Sequence, residues 1–196
     1  TSSSMGLANS PWPKFGQNNQ NTGRSDILTR GLVAHYPFNG NANDESGNAN
    51  HGTANGATLT TNQFGTTSRA YHFDGTDDSI SIGQSNIDGN FTVSGWFKWD
   101  DNKTDWSRIY TANGSEISLQ VVGSSGGGGG ISHGGVRFHV GGSGGAISSN
   151  AGAVSAGEWV HYVGSWDGTT AKLYLNGAQT TTTTMGTLTN PTTGDA

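Results

Sequence analysis

The sequence predicts an all-β protein, a sandwich of two antiparallel sheets, on three observations. Glycine is abundant, 33 residues against 4 prolines, and many Thr, Ser and Asn accompany it, a composition that gives short strands separated by turns. From residue 31 onward the apolar residues follow a period of two, the signature of half-buried strands. Almost no stretch has the composition for a helix to compete. With 196 residues the chain can bury about 70% of its unfolded surface in one domain, and 31% hydrophobic residues suits thin two-sheet packing.

Along the chain, residues 1–29 are polar, carry Pro11 and Pro13 and show no alternation, so they read as an extended arm or linker. Residues 30–196 form the sandwich. Leu32, Ala34 and Tyr36 alternate with Val33, His35 and Pro37, giving the first expected strand. An Asn/Gly/Asp-dense loop follows, then a strand at Ala70–Phe73, the FDGTDD turn and a strand at Ser79–Ile82. In Phe91–Trp99 one face carries Phe91, Val93, Gly95, Phe97 and Trp99; Trp96 lies on the other and turns inward only if the sheet is covered on both sides. Further strands are expected from Ile109, over Ile117–Val122 and over Val136–Val140. Trp159–Trp166 and Ala171–Leu175 make a hairpin around Asp167-Gly168, and the β-branched run Thr180–Thr184 suits an edge strand.

Charge and special residues exclude several functions. Net charge is −5 with only 9 Lys and Arg and no basic cluster, which argues against nucleic acid and anionic membranes as partners. The chain has no cysteine, so neither disulfides nor thiolate metal sites are available. No run is long and apolar enough to span a bilayer as a helix. The chain begins at Thr1, which suggests a processed product, and composition points to a secreted or cell-surface protein.

The segments GLVAHYPFNGNANDESGNANHG, YHFDGTDDSISI, FTVSGWFKW and GEWVHYVGSWDGTTAKLYLNGAQ resemble, in order, the signatures of the bacterial laminin G-like family of the concanavalin A-like lectin and glucanase superfamily. That resemblance implies a jelly-roll, a non-catalytic module of secreted or surface proteins, and a calcium ion. It also implies core positions for Trp96 and Trp159, and a closing strand pair beyond the point where this chain stops, at TLTNPTTGDA.

Calcium needs several converging oxygens. The 41–50 loop offers Asn43, Asp44, Asn48 and Asn50, and the FDGTDD turn offers Asp74, Asp77 and Asp78. Asp44, Asn48, Asn50 and Asp74 are the expected ligands, Asp44 and Asp74 by resemblance; the alternative is that Asn, Asp and Gly only form turns. Trp99, Trp106 and Tyr110 flank a polar loop and could stack on a sugar face or pack against that loop. Catalysis is not expected: glycoside hydrolysis needs a pair of carboxyls at set separation, and Glu45, Glu116 and Glu158 are isolated from one another.

The resulting expectation is a non-catalytic extracellular carbohydrate-binding or adhesion module for a polysaccharide or glycoconjugate. The alternative is a structural subunit of a surface filament or multimer, in which Trp12 and Phe15 of the arm dock into another copy by strand exchange.

Overall fold

The computed structural model describes residues 31–82, 87, 89–101, 106–112, 117–123, 133–141 and 145–184. Trp12 and Phe15, and residues 1–29 as a whole, lie outside the described residues. Twelve strands are present in that span: β1 Thr53–Asn55, β2 Thr58–Thr60, β3 Ala70–His72, β4 Ser79–Ser81, β5 Phe91–Lys98, β6 Trp106–Ala112, β7 Ile117–Val122, β8 Val136–Val140, β9 Ala146–Ser148, β10 Trp159–Trp166, β11 Thr170–Leu175 and β12 Ala178–Thr184. Among the described residues no helix is long and apolar enough to cross a membrane.

Two four-stranded antiparallel sheets, ordered β12-β11-β10-β5 and β6-β7-β8-β9, enclose one core. Alternation decides which residues enter it. Phe97 of β5, Val160, Tyr162 and Trp166 of β10, and Ala171, Leu173 and Leu175 of β11 come from the first sheet. Ile117, Leu119 and Val121 of β7, Val136, Phe138 and Val140 of β8, and Ile147 of β9 come from the second. The sheets meet tightly at Phe138 and Gly164: a Cβ at that glycine would stand 2.8 Å from the ring. Phe138 also meets Phe91 edge-on, with ring centres 6.2 Å apart. Two two-stranded ribbons, β1-β4 and β2-β3, complete the described sheet structure.

The hairpins follow their turn chemistry. Asp167 Oδ1 accepts the amides of Thr169 at 3.0 Å and Thr170 at 2.7 Å, and Gly168 takes a positive φ of 90°, closing β10 onto β11. Asn176-Gly177, with φ of 49° and 81°, is the two-residue turn that closes β11 onto β12. It is a signal that the sequence displays as plainly as Asp167-Gly168. The threonine run falls in β12, at the end of its sheet.

Three expectations change. Residues 32–37 are not a ladder strand, because their backbone groups bond to the loop that follows: His35 N–H to Asp44, His35 C=O to the Glu45 amide, and the Leu32 and Val33 carbonyls to Asn48 and Asn50. Trp96 is 45% exposed on the outer face of its sheet, with its ring 5.0 Å from that of His161, its register partner on β10. Trp159 shares that outer face, half-buried with Lys98 Nζ 5.7 Å from its ring centre. These two indoles therefore stand outside the core that the family resemblance implied for them, because the inward positions of β5 are Phe91, Val93, Gly95, Phe97 and the residue just past it, Trp99.

Candidate functional site

The 41–50 loop is organised around one carboxylate. Asp44, 5% exposed, accepts the amides of His35 and Ser46 at Oδ1, both at 2.8 Å. Its Oδ2 accepts the Ser46 hydroxyl at 2.8 Å and the Asn50 amide at 3.0 Å. Burial pushes the Asp44 carboxyl up, but the bonds from His35, Ser46 and Asn50 outweigh it and hold the group well below the usual carboxylate range. The Asp44 amide in turn donates to His51 Nδ1 at 3.2 Å, and the Tyr36 hydroxyl donates to the Asn50 carbonyl at 2.5 Å. Asn48 and Asn50 turn their amide nitrogens onto the carbonyls of Leu32 and Val33, at 2.8 to 3.0 Å. The loop is thus closed on itself, its one buried carboxylate met by four donors.

The FDGTDD turn is built differently. Asp74, Asp77 and Asp78 bring carboxylate oxygens within 4.8 Å of one another, and Asp74 and Asp77 are exposed. The Asp74 amide donates to Asp78 Oδ2 at 2.9 Å and the Thr76 amide to Asp74 Oδ1 at 2.7 Å. Gly56, between β1 and β2 with φ of 76°, lets the Asp78 carboxylate occupy the place a Cβ would fill. Of the four expected metal ligands, Asp74 belongs to this acidic group, while Asp44 is not a member of it and Asn48 and Asn50 serve the loop around Asp44. Asp77 and Asp78 join Asp74 through the turn itself, a spacing visible in the sequence.

The three expected stacking aromatics separate. Trp99 is 5% exposed and belongs to the core, its ring 5.3 Å from His133, whose Nε2 pairs with Asp101 at 2.9 Å. It offers no face to a sugar. Tyr110 packs against the core because the β6–β7 register shifts between Arg108 and Tyr110, setting it opposite Leu119. Burial, and to a lesser extent the neighbouring Tyr36 phenol, push its hydroxyl up to about 12. Trp106 alone lies on the outer side, paired with Val122, half-buried under the Arg137 guanidinium 5.4 Å from its ring centre.

That outer face of β6–β9 is polar in register. One row reads Arg108, Gln120, Arg137 and Ser148 across the four strands; the next reads Thr111, Ser118, His139 and Ala146. Gln120 Nε2 donates to Ser118 Oγ at 3.0 Å. No carboxylate stands in these strands. The inner residues of the same strands are core, so a rigid scaffold holds the rows, with Ser118 buried beneath its neighbours, Gln120, Arg137 and His139 half-buried, and Arg108 and Thr111 exposed at the β6 end.

Paired antiparallel sheets around a single core, with one polar outer face, define a lectin-type β-sandwich. The family model described as concanavalin A-like lectin/glucanases superfamily matches residues 74–196, and the chain belongs to this laminin G-like family. The 41–50 loop precedes the matched span. No curated protein matches the chain in sequence. Among solved structures, the chain is similar to domain 4 of AbnA, an extracellular GH43 arabinanase from Geobacillus stearothermophilus, in complex with arabinotriose, at 21% identity and a TM-score of 0.59 over 78% of this chain and 75% of that one. It is also similar to an S-layer domain-containing protein from Clostridium thermocellum, at 24% identity and a TM-score of 0.42 over 76% and 71% of the two chains.

Proposed function

We propose that this chain is a non-catalytic carbohydrate-binding module of a secreted or cell-surface protein, with a polysaccharide as its ligand. The observation that carries the reading is the outer face of β6–β9, where one aromatic, Trp106, stands beside ordered rows of hydrogen-bonding side chains. Sugars present apolar C–H faces and rings of hydroxyls, and an aromatic surface with a few placed polar groups meets both. The family, and the similar fold of domain 4 of an extracellular arabinanase in complex with arabinotriose, support it. Glycoside hydrolysis needs two carboxyls flanking the bond, and the described residues of this face supply none.

The proposal includes a structural calcium ion at Asp74, Asp77 and Asp78. Three carboxylates converging within 4.8 Å match the hard-oxygen donor set of calcium, and bringing three like charges together costs least when a cation lies between them. Bound there, the ion would clamp the turn between β3 and β4.

Affinity electrophoresis through a panel of immobilised polysaccharides tests the function, with Trp106→Ala as the control. Retardation by at least one glycan, weakened about tenfold or more in Trp106→Ala, is expected, since loss of a buried-face aromatic commonly costs over 1.4 kcal/mol. Migration unaffected by every glycan in the panel would remove the reading.

A further inference from the structure

Two of the chain's nine basic residues, Arg108 and Arg137, stand in the same cross-strand row with only Gln120 between them. Given the spacing of neighbouring strands, their backbones are about 10 Å apart. Among the described residues neither arginine forms an ion pair, although the chain as a whole is acidic with a net charge of −5. Arg108 is exposed. Arg137 is held by the Trp106 ring instead of by a carboxylate, and its buried Nε has no hydrogen-bond partner. Like charges set this close on one sheet face repel, and a protein that uses arginines only for solubility has no reason to align them in register. Guanidinium groups present forks that match carboxylate and sulfate oxygens, and such charge-assisted pairs are the stronger hydrogen bonds.

On the reading of this face as the glycan site, we infer that its ligand is an anionic polysaccharide, whose sugar carboxylates or sulfate esters are taken by Arg108 and Arg137 while Gln120 and Trp106 contact the neutral part of the ring. Uronates and sulfated sugars share this chemistry. Gln120 suits the middle of the row: with its amide nitrogen given to Ser118, its carbonyl oxygen is left to accept from a sugar hydroxyl.

The test titrates the full chain with polygalacturonate, with chondroitin sulfate and with neutral linear arabinan, by calorimetry at low and at high sodium chloride. Binding to at least one of the two anionic polymers is expected to exceed binding to arabinan and to weaken with salt, because exposed charge pairs are screened. The preferred anionic polymer tells carboxylate from sulfate. Arg108→Gln should lower anionic affinity about tenfold and lower arabinan affinity by far less, since glutamine keeps a hydrogen-bonding side chain but loses the charge. Arg137→Gln should also lower anionic affinity, but because it unstacks Trp106 it disturbs arabinan binding as well, so Arg108→Gln on its exposed side chain is the decisive variant. Equal, salt-insensitive binding of arabinan and of the anionic polymers, unaffected by Arg108→Gln, overturns the inference while leaving a carbohydrate-binding module. Failure to bind any of the three overturns the inference, and only silence across the wider glycan panel removes the module reading as well.

Discussion

The 41–50 loop and the 74–78 turn draw on the same residue types, Asn, Asp and Gly, and reach opposite electrostatic states. In the first, one carboxylate sits 5% exposed and collects four donors, so its charge is discharged by the protein itself. In the second, three carboxylates share a space of 4.8 Å with two backbone amides between them, and their charge is left for something else to meet. The difference teaches what separates an acidic residue that builds a loop from one able to hold an ion: not its neighbours in sequence, but whether backbone N–H groups have already turned toward it. Asp44, together with Asn48 and Asn50, replaces a missing ladder, fastening residues 32–37 to the loop in place of strand pairing. Asp74 and Asp77 face water and fasten little.

The largest effect expected from this contrast is at Asp44. Asp44→Ala strands the amides of His35, Ser46 and Asn50 and should lower the melting temperature by roughly 5–10 °C, the range expected when hydrogen bonds to a charged group are lost from a domain of this size. Thermal denaturation followed by circular dichroism reads it. A fall no larger than that of Asp77→Ala would erase the distinction between the two loops.

Acid should distinguish them next. The folded-state carboxyl of Asp44 is depressed below its unfolded value of about 3.9. The stability it contributes is therefore fully present above that value and is lost as pH falls through the folded one. Asn at this position keeps the shape but points an amide nitrogen at donors. The melting temperatures of the wild type and Asp44→Asn should thus lie far apart at pH 7, stay apart down to about pH 4, and converge below it. Asp167, held down by the Thr170 and Thr169 amides, gives both proteins a shared acid limb, so the gap between the curves carries the information rather than either slope. A gap that stays constant into strong acid would mean that Asp44 acts through packing, not charge.

Much of the fold was legible because a buried face enforces a period of two. The alternation in Phe91–Trp99 groups Trp99 with Phe97, and the core contains both. What misled was context: a polar loop follows Trp99 and suggests a rim residue, whereas strand parity carries it inward. Residues 32–37 alternate as cleanly, yet form no strand, because the Asp44 carboxylate, the Asn48 and Asn50 amides and the Glu45 N–H of the following loop take the same backbone groups. β9 is three residues beside a glycine tract, too short for any period to show. Within the candidate site, Trp106 could be read as an exposed aromatic and the Asp cluster as a turn. The row Arg108, Gln120, Arg137 could not. Its members lie on three strands, and a one-residue slip in either pairing would send one of them to the core.

The smallest effect expected is also the one that sharpens the contrast most. Asp77 is exposed and no hydrogen bond of the turn's backbone depends on it. Without divalent ions, Asp77→Asn should shift stability by no more than about 0.5 kcal/mol, and relief of repulsion among three carboxylates makes the shift stabilising if it is measurable. With calcium at a hundredfold excess over its dissociation constant the wild type should gain about 2.7 kcal/mol, because only the folded turn gathers the three carboxylates. Asp77→Asn should lose most of that gain, whereas Asp44→Asn, weakened in itself, should keep it. Melting curves with calcium and with chelator for the three proteins measure all of this. If calcium stabilises Asp77→Asn as much as the wild type and fails to stabilise Asp44→Asn, the ion belongs to the 41–50 loop and the roles of the two loops are reversed.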